Sequence, residues 1–190
     1  KAYEQRKQKL GAMDFDDLLV KCLALFREND DVCGRYCEQF AHILVDEYQD
    51  TNPIQAEIVD RLAVRHRNLL VVGDDFQSIY SWRGADYRNI MSFPQRYEDA
   101  QTYKLETNYR SVPEILEVAN ACIAGNPEQF QKVLRPTRET HHKPGVVRVR
   151  DGEEQARYVT DLILRLRREG VSLSEIAVLY RAHFHALDLE

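Results

Sequence analysis

Four carboxylates sit where chemistry is often done. Asp46 and Glu47 follow the apolar run at 41–45, and Asp74 and Asp75 follow a second run at 68–72, with Gly73 between. Runs of this length read as buried strands of a parallel sheet, whose carboxyl edge is where α/β proteins bind ligands. Adjacent residues on an extended strand end point to opposite sides, so Asp46 and Glu47 suit different tasks. One carboxylate can hold Mg²⁺, directly or through water, while the next orients and deprotonates an attacking water. Alone, the pair reads equally well as the acidic start of a loop. Tyr80 and Trp82 stand two apart. On an extended segment they face the same way and offer aromatic faces to bases, worth about 1–3 kcal/mol per base. Ser81, Arg83 and Gly84 around Trp82 argue against a buried tryptophan, whereas for Tyr80 a core position stays open.

The elements that must position these groups can be read from periodicity. Phe15, Leu18, Leu19, Cys22, Leu23 and Phe26 recur at three- and four-residue steps and predict a helix capped by Asp14, with Phe15, Leu18 and Leu19 in the core. Asp16 and Asp17 read as a solvated face of that helix or as contributors to the site. Pro53 fits a first helical turn, and Ile54, Ile58, Val59 and Leu62 continue a stripe to Val64, giving strand, helix, strand. Further strands are expected at 101–105, 146–149 and 176–180, helices at 113–124 and 153–168, and a loop at 135–145.

Composition excludes several classes. The 190 residues are 44% hydrophobic with a formal charge of −5, which fits one large or two small globular domains rather than a disordered or collagen-like chain. No apolar run approaches the roughly 18 residues of a membrane helix, and no leader pattern follows Lys1. Cys22, Cys33, Cys37 and Cys122 lack metal-ligand spacing and are expected to be reduced thiols of a cytoplasmic protein. A zinc site from Cys33, Cys37 and His42 would need a fourth ligand from elsewhere. His183 and His185 have no matching ligands and read as structural or exposed. The charge is uneven: residues 1–60 are net acidic and 131–170 net basic, so a local nucleic-acid face is compatible with the negative total.

Three longer motifs sharpen the reading. Residues 45–52 are V-D-E-Y-Q-D-T-N, 72–86 are V-G-D-D-F-Q-S-I-Y-S-W-R-G-A-D, and 105–111 are L-E-T-N-Y-R-S. In this order they resemble motifs II, III and IV of superfamily 1 DNA helicases of the UvrD/Rep/PcrA type. Met13 to Leu19, Glu117 to Asn120 and Ile176 to Ala182 extend the resemblance over nearly the whole chain. The resemblance implies an α/β fold of the P-loop NTPase type: RecA-like parallel sheets flanked by helices, with residues 1–99 the later part of a first core and 100–190 the early part of a second. It implies ATP and Mg²⁺ as cofactors, with single-stranded DNA and duplex junctions as partners and 3′ to 5′ movement. Position by position, Asp46 matches the Mg²⁺-binding aspartate and Glu47 the activator of the hydrolytic water. Gln77 matches the γ-phosphate sensor, Arg110 an arginine reaching that phosphate from the second core, and Tyr109 a tyrosine on the adenine. Tyr80 and Trp82 match DNA-facing positions, and Arg83 an arginine linking the nucleotide and DNA sites. Alternative readings are the motor of a helicase-nuclease, a non-catalytic DNA-binding module, and a free-standing metal nuclease on Asp46, Glu47, Asp74 and Asp75.

One expected motif does not occur. None of the eight glycines is followed by lysine, so the chain has no G-x-x-x-x-G-K-[ST] phosphate loop. The first residue is not Met and the last stretch has a helical pattern, which reads as part of something longer. The purified chain alone is therefore expected not to hydrolyse ATP. DNA-stimulated phosphate release by it, abolished by Glu47→Gln, would contradict that expectation.

Overall fold

Asp14 starts the helix that its position predicts. The computed structural model describes residues 2–189 and divides into two compact units, one ending at His141 and one beginning at His142. In the first unit, α1 (Ala2–Leu10) precedes α2 (Phe15–Glu28). The Asp14 carboxylate accepts the Asp17 amide at 2.9 Å, and the Asp17 side chain accepts the Asp14 amide at 3.1 Å, a reciprocal cap. Lys7 of α1 lies 2.8 Å from Asp14 and 2.6 Å from Asp17, so Asp17 ties two helices together.

Helix α2 buries its second half rather than its first. Phe26 packs with Cys33 and Cys37 of α3 (Asp30–Gln39), flanked by Cys22, Val32, Ile58 and Leu62. Phe15 and Leu18, expected in the core, are exposed, Phe15 at 89%, and Leu19 is half-buried. The helix extends beyond the neighbours that cover its C-terminal turns, and amphipathic spacing does not reveal where those neighbours end. All four cysteines are free thiols; Cys37 Sγ donates to the Arg61 carbonyl at 3.2 Å, and burial pushes its thiol pKa up.

Strand β1 (Ile43–Val45) pairs in parallel with β2 (Leu69–Val71), Val45 opposite Val71, with α4 (Pro53–Ala63) as the crossover. Asn52 and Gln55 cap α4 reciprocally at 2.9 Å each, and Pro53 occupies the first turn. Beneath the strand ends, Tyr48, Ala56 and Ile90 form a buried cluster joined by Val45, Val71, Met91, Phe93 and Phe130. Two single-turn helices, α5 (Arg88–Met91) and α6 (Phe93–Arg96), supply Ile90, Met91 and Phe93.

A second, minimal parallel pair joins β3 (Thr107–Asn108) to β4 (Arg135–Pro136), with α7 (Pro113–Ile123) between them in sequence. The Asn120 carboxamide on α7 donates to the Leu134 carbonyl at 3.0 Å and accepts its amide at 3.1 Å. The 135–145 loop therefore begins with a short strand. In the second unit, α8 (Gly152–Arg168) is capped by Asp151, which accepts the Glu154 amide at 2.9 Å.

Three expected strands are not formed. Residues 101–105, 146–149 and 176–180 carry no strand assignment, and Tyr103, Leu105, Val146 and Leu179 face solvent. A strand exists only through a hydrogen-bonded neighbour, and sequence pattern supplies the side chains but not the neighbour. Among the described residues, no helix is long and apolar enough to cross a membrane.

Asn52→Ala removes a reciprocal cap at the start of the crossover helix. It should lower the stability of the chain by about 1 kcal/mol, read from the urea unfolding midpoint at unchanged slope.

Candidate functional site

The backbone turns sharply at the end of β1. Glu47 has φ 51, a left-handed conformation that costs an L-residue roughly 1–2 kcal/mol. Asp46 and Glu47 thus do not continue an extended strand, as their spacing suggested. The turn lets the Glu47 amide donate to Asp46 Oδ1 at 2.9 Å while both side chains stay at the surface. It also sends Tyr48 and Gln49 inward as a 3-10 turn, Tyr48–Asp50, with Gln49 only 1% exposed.

Gln49 is the junction of the two strand ends. Its Nε2 donates to Glu47 Oε2 at 2.8 Å and to Asp50 Oδ2 at 3.3 Å, and its Oε1 accepts the Asp74 amide at 2.9 Å. The backbone runs alongside, with Tyr48 N–H donating to the Val72 carbonyl at 2.9 Å. Gly73 makes this approach possible, since a Cβ there would lie 2.5 Å from Gln49 Oε1 and 2.7 Å from Ile90 Cδ1.

The second acidic pair is fully engaged. Asp74 Oδ1 accepts the Phe76 amide at 3.0 Å, capping the 3-10 turn Asp75–Gln77, and its Oδ2 accepts Gln77 Nε2 at 2.7 Å. Lys132 reaches both carboxylates, 2.5 Å from Asp74 Oδ1 and 2.8 Å from Asp75 Oδ1, with its ammonium 4.0 Å from the Phe76 ring centre. Burial alone would raise the Asp74 carboxyl pKa, but the hydrogen bonds from Lys132 and Gln77 outweigh it and hold the group below the usual carboxylate range. Burial likewise opposes the Lys132 charge, and the two carboxylates reverse that and raise its pKa.

Tyr80, Trp82 and Arg83 form a surface group of their own. Ser81–Arg83 is a 3-10 turn ended by Gly84 at φ 85, which corrects the expectation of an extended segment. The two rings still lie side by side, 6.4 Å apart and tilted by 51°, because Arg83 packs over both, 5.3 Å from Tyr80 and 4.5 Å from Trp82. Trp82 is 72% exposed.

Tyr109 and Arg110 follow β3. The Asn108 side chain accepts the amides of Arg110 at 3.0 Å and Ser111 at 2.8 Å, and the Tyr109 carbonyl accepts from Arg138 Nε at 3.2 Å. Both side chains are exposed. The structure therefore joins Glu47 to Gln77 through Gln49 and Asp74, with Asp46 on the Glu47 amide. Among the described residues, no side-chain hydrogen bond, ion pair or ring contact brings Tyr109 or Arg110 to that chain.

The donor set at β1 fits a hard divalent cation. Asp46 presents an exposed carboxylate with one oxygen on the Glu47 amide, and Asp50 keeps Oδ1 buried without a partner. Mg²⁺ takes one or two protein carboxylates and draws its remaining ligands from water and phosphate.

Comparison with known proteins decides the family. Residues 1–98 match the UvrD/REP helicase N-terminal domain, and residues 103–190 match the UvrD-like helicase C-terminal domain. The chain belongs to the UvrD/Rep helicase family. Relatives named ATP-dependent DNA helicase PcrA are 40% identical over the whole chain in Leuconostoc citreum and in Staphylococcus epidermidis, where it covers 25% and 26% of their lengths. The Staphylococcus aureus protein of the same name is 39% identical over 99% of this chain, which covers 26% of it. This UvrD/Rep-family chain thus spans about a quarter of the length of the curated relatives it matches. Two residues at its site escape sequence reasoning, Gln49 and Lys132. Gln49 lies within a quoted motif but shows no sign of burial, and Lys132 stands alone in a mixed polar stretch.

Asp74 is held below its ordinary pKa, so its stabilising contribution is complete above the unfolded value near 4 and is lost as pH falls through the folded value. The difference in Tm between the native chain and Asp74→Asn should be constant from pH 7 to pH 5 and shrink steadily below about pH 4. A gap that persists at low pH would contradict this.

Proposed function

We propose that this chain is the motor portion of an ATP-dependent DNA helicase and translocase, with residues 1–99 and 100–190 contributing to two RecA-like cores. The observation that carries the reading is the unbroken path Glu47–Gln49–Asp74–Gln77, which holds a carboxylate and a carboxamide together beyond the ends of two adjacent parallel strands. Such an edge is where α/β folds bind phosphorylated ligands. The family membership and the names of the relatives favour ATP and DNA as the substrates.

Glu47 is the group that takes the proton from the attacking water. Its Oε2 is held by Gln49, leaving Oε1 for the water, so the buried amide aims the carboxylate. Asp46 would hold Mg²⁺, whose charge neutralises phosphate oxygens. Gln77 senses the γ-phosphate by exchanging its bond to Asp74 for one to a phosphate oxygen. Arg110 supplies a fixed charged fork to the same group from the second core, and Tyr109 stacks on the adenine. Movement on single-stranded DNA assigns base stacking to Tyr80 and Trp82, with Arg83 between them and the phosphate chain. The 3′ to 5′ polarity and action at duplex junctions rest on the family resemblance, as does a cytoplasmic setting.

In the full-length protein that carries this chain, Glu47→Gln should lower DNA-stimulated ATP hydrolysis by about 10²- to 10⁴-fold. DNA binding should survive: a labelled oligo-dT should still give a saturable, salt-weakened anisotropy titration. Undiminished hydrolysis would overturn the reading.

A further inference from the structure

Lys132 has a second connection besides the acidic pair. Asp75, with a side chain only 4% exposed, accepts Lys132 on one oxygen and the Phe130 amide on the other at 2.9 Å. Tyr87 donates to Glu128, and Phe130 packs into the cluster beneath the strand ends. The stretch from Glu128 to Lys132 is therefore fastened along the segment that bears Gln77. Immediately beyond it, the Val133 amide donates to Glu106 Oε1 at 2.9 Å, the Arg135 amide donates to the Glu106 carbonyl at 2.7 Å, and β4 pairs with Thr107–Asn108. The Asn108 side chain in turn orders the Arg110 backbone. Two residues of chain, Val133 and Leu134, thus separate the cation on Asp74 from β4, the pairing partner of the strand that precedes Arg110.

Asp74 is shared. Lys132 and the Phe76 amide take one oxygen, and the Gln77 amide takes the other. Among the described residues, Lys132 is the only cation paired with Asp74 or Asp75. A half-buried carboxylate that has lost its cation binds its remaining donors more tightly.

We propose that Lys132 is a positioning residue that couples Gln77 to the Arg110 strand: by neutralising Asp74 it frees the Gln77 amide to leave for a phosphate, and through β4 it registers where β3 stands. The inference rests on the reading of Gln77 as a phosphate sensor in an ATP-hydrolysing motor. Without Lys132, Gln77 stays bound to Asp74, so turnover falls while nucleotide binding does not.

The test is a double-mutant cycle in the full-length protein, reading DNA-stimulated ATP hydrolysis. Lys132→Met is expected to lower kcat about tenfold with little change in KM, and to cause no further loss in a Gln77→Ala background. Lys132→Arg, which keeps the charge, should retain most of the activity. Removing the ammonium strands two carboxylates, so the same cycle is also run with Asp75→Asn present, which removes one of the two charges, and circular dichroism of each variant reports whether it is folded. Equal fold losses with and without Gln77, or a loss expressed in KM alone, would overturn the coupling. Glu47→Gln is the control: if it leaves hydrolysis intact, the motor reading itself fails, whereas abolished hydrolysis with an additive cycle removes only the role of Lys132.

Discussion

The buried carboxamide of Gln49 is the constraint on which the site depends. A primary amide has one acceptor oxygen and two donor hydrogens, and here each end is used on a different strand exit. Because it is buried, each unmade bond would leave a desolvated polar group, worth about 1–3 kcal/mol. That penalty fixes Glu47, Asp50 and Asp74 relative to one another more firmly than bonds to water could. The parallel pairing of β1 and β2 brings the exits together, Gly73 gives the amide room, and the Tyr48 cluster supports the floor.

Charge is arranged in layers around that amide. Asp46 and Glu47 remain at the surface, and among the described residues no cation pairs with them. Asp74 and Asp75 sit deeper and share the single positive charge of Lys132. The separation follows from the strand exits: the first turns outward through a left-handed residue, whereas the second is followed by a capped 3-10 turn that folds its carboxylates under.

Local signals made part of this legible in the sequence. Asp14, Asn52 and Pro53 mark helix starts through chemistry confined to a few residues, and the apolar runs before Asp46 and Asp74 give the parallel pair. The motifs at 45–52, 72–86 and 105–111 carried the family. What escaped depends on distant partners. Lys132 finds Asp74 across 58 residues, Gln49 is defined by burial rather than by its neighbours in sequence, and Phe15 is exposed because the helices covering α2 stop short of it. The strands expected at 101–105, 146–149 and 176–180 fail for the same reason, since their side-chain pattern is local and their pairing is not. At Ser81–Arg83 the error was one of conformation: a glycine-terminated 3-10 turn brings the rings together as an extended segment would have done.

The left-handed backbone of Glu47 has an evolutionary consequence. Glycine would occupy that conformation without strain, so the residue most comfortable there is one that has no carboxylate. Selection for a durable fold and selection for the base proposed at Glu47 pull in opposite directions at this one position. A lineage relieved of the chemistry would be free to drift toward glycine or asparagine, and such a replacement would mark a retired enzyme with a sturdier fold.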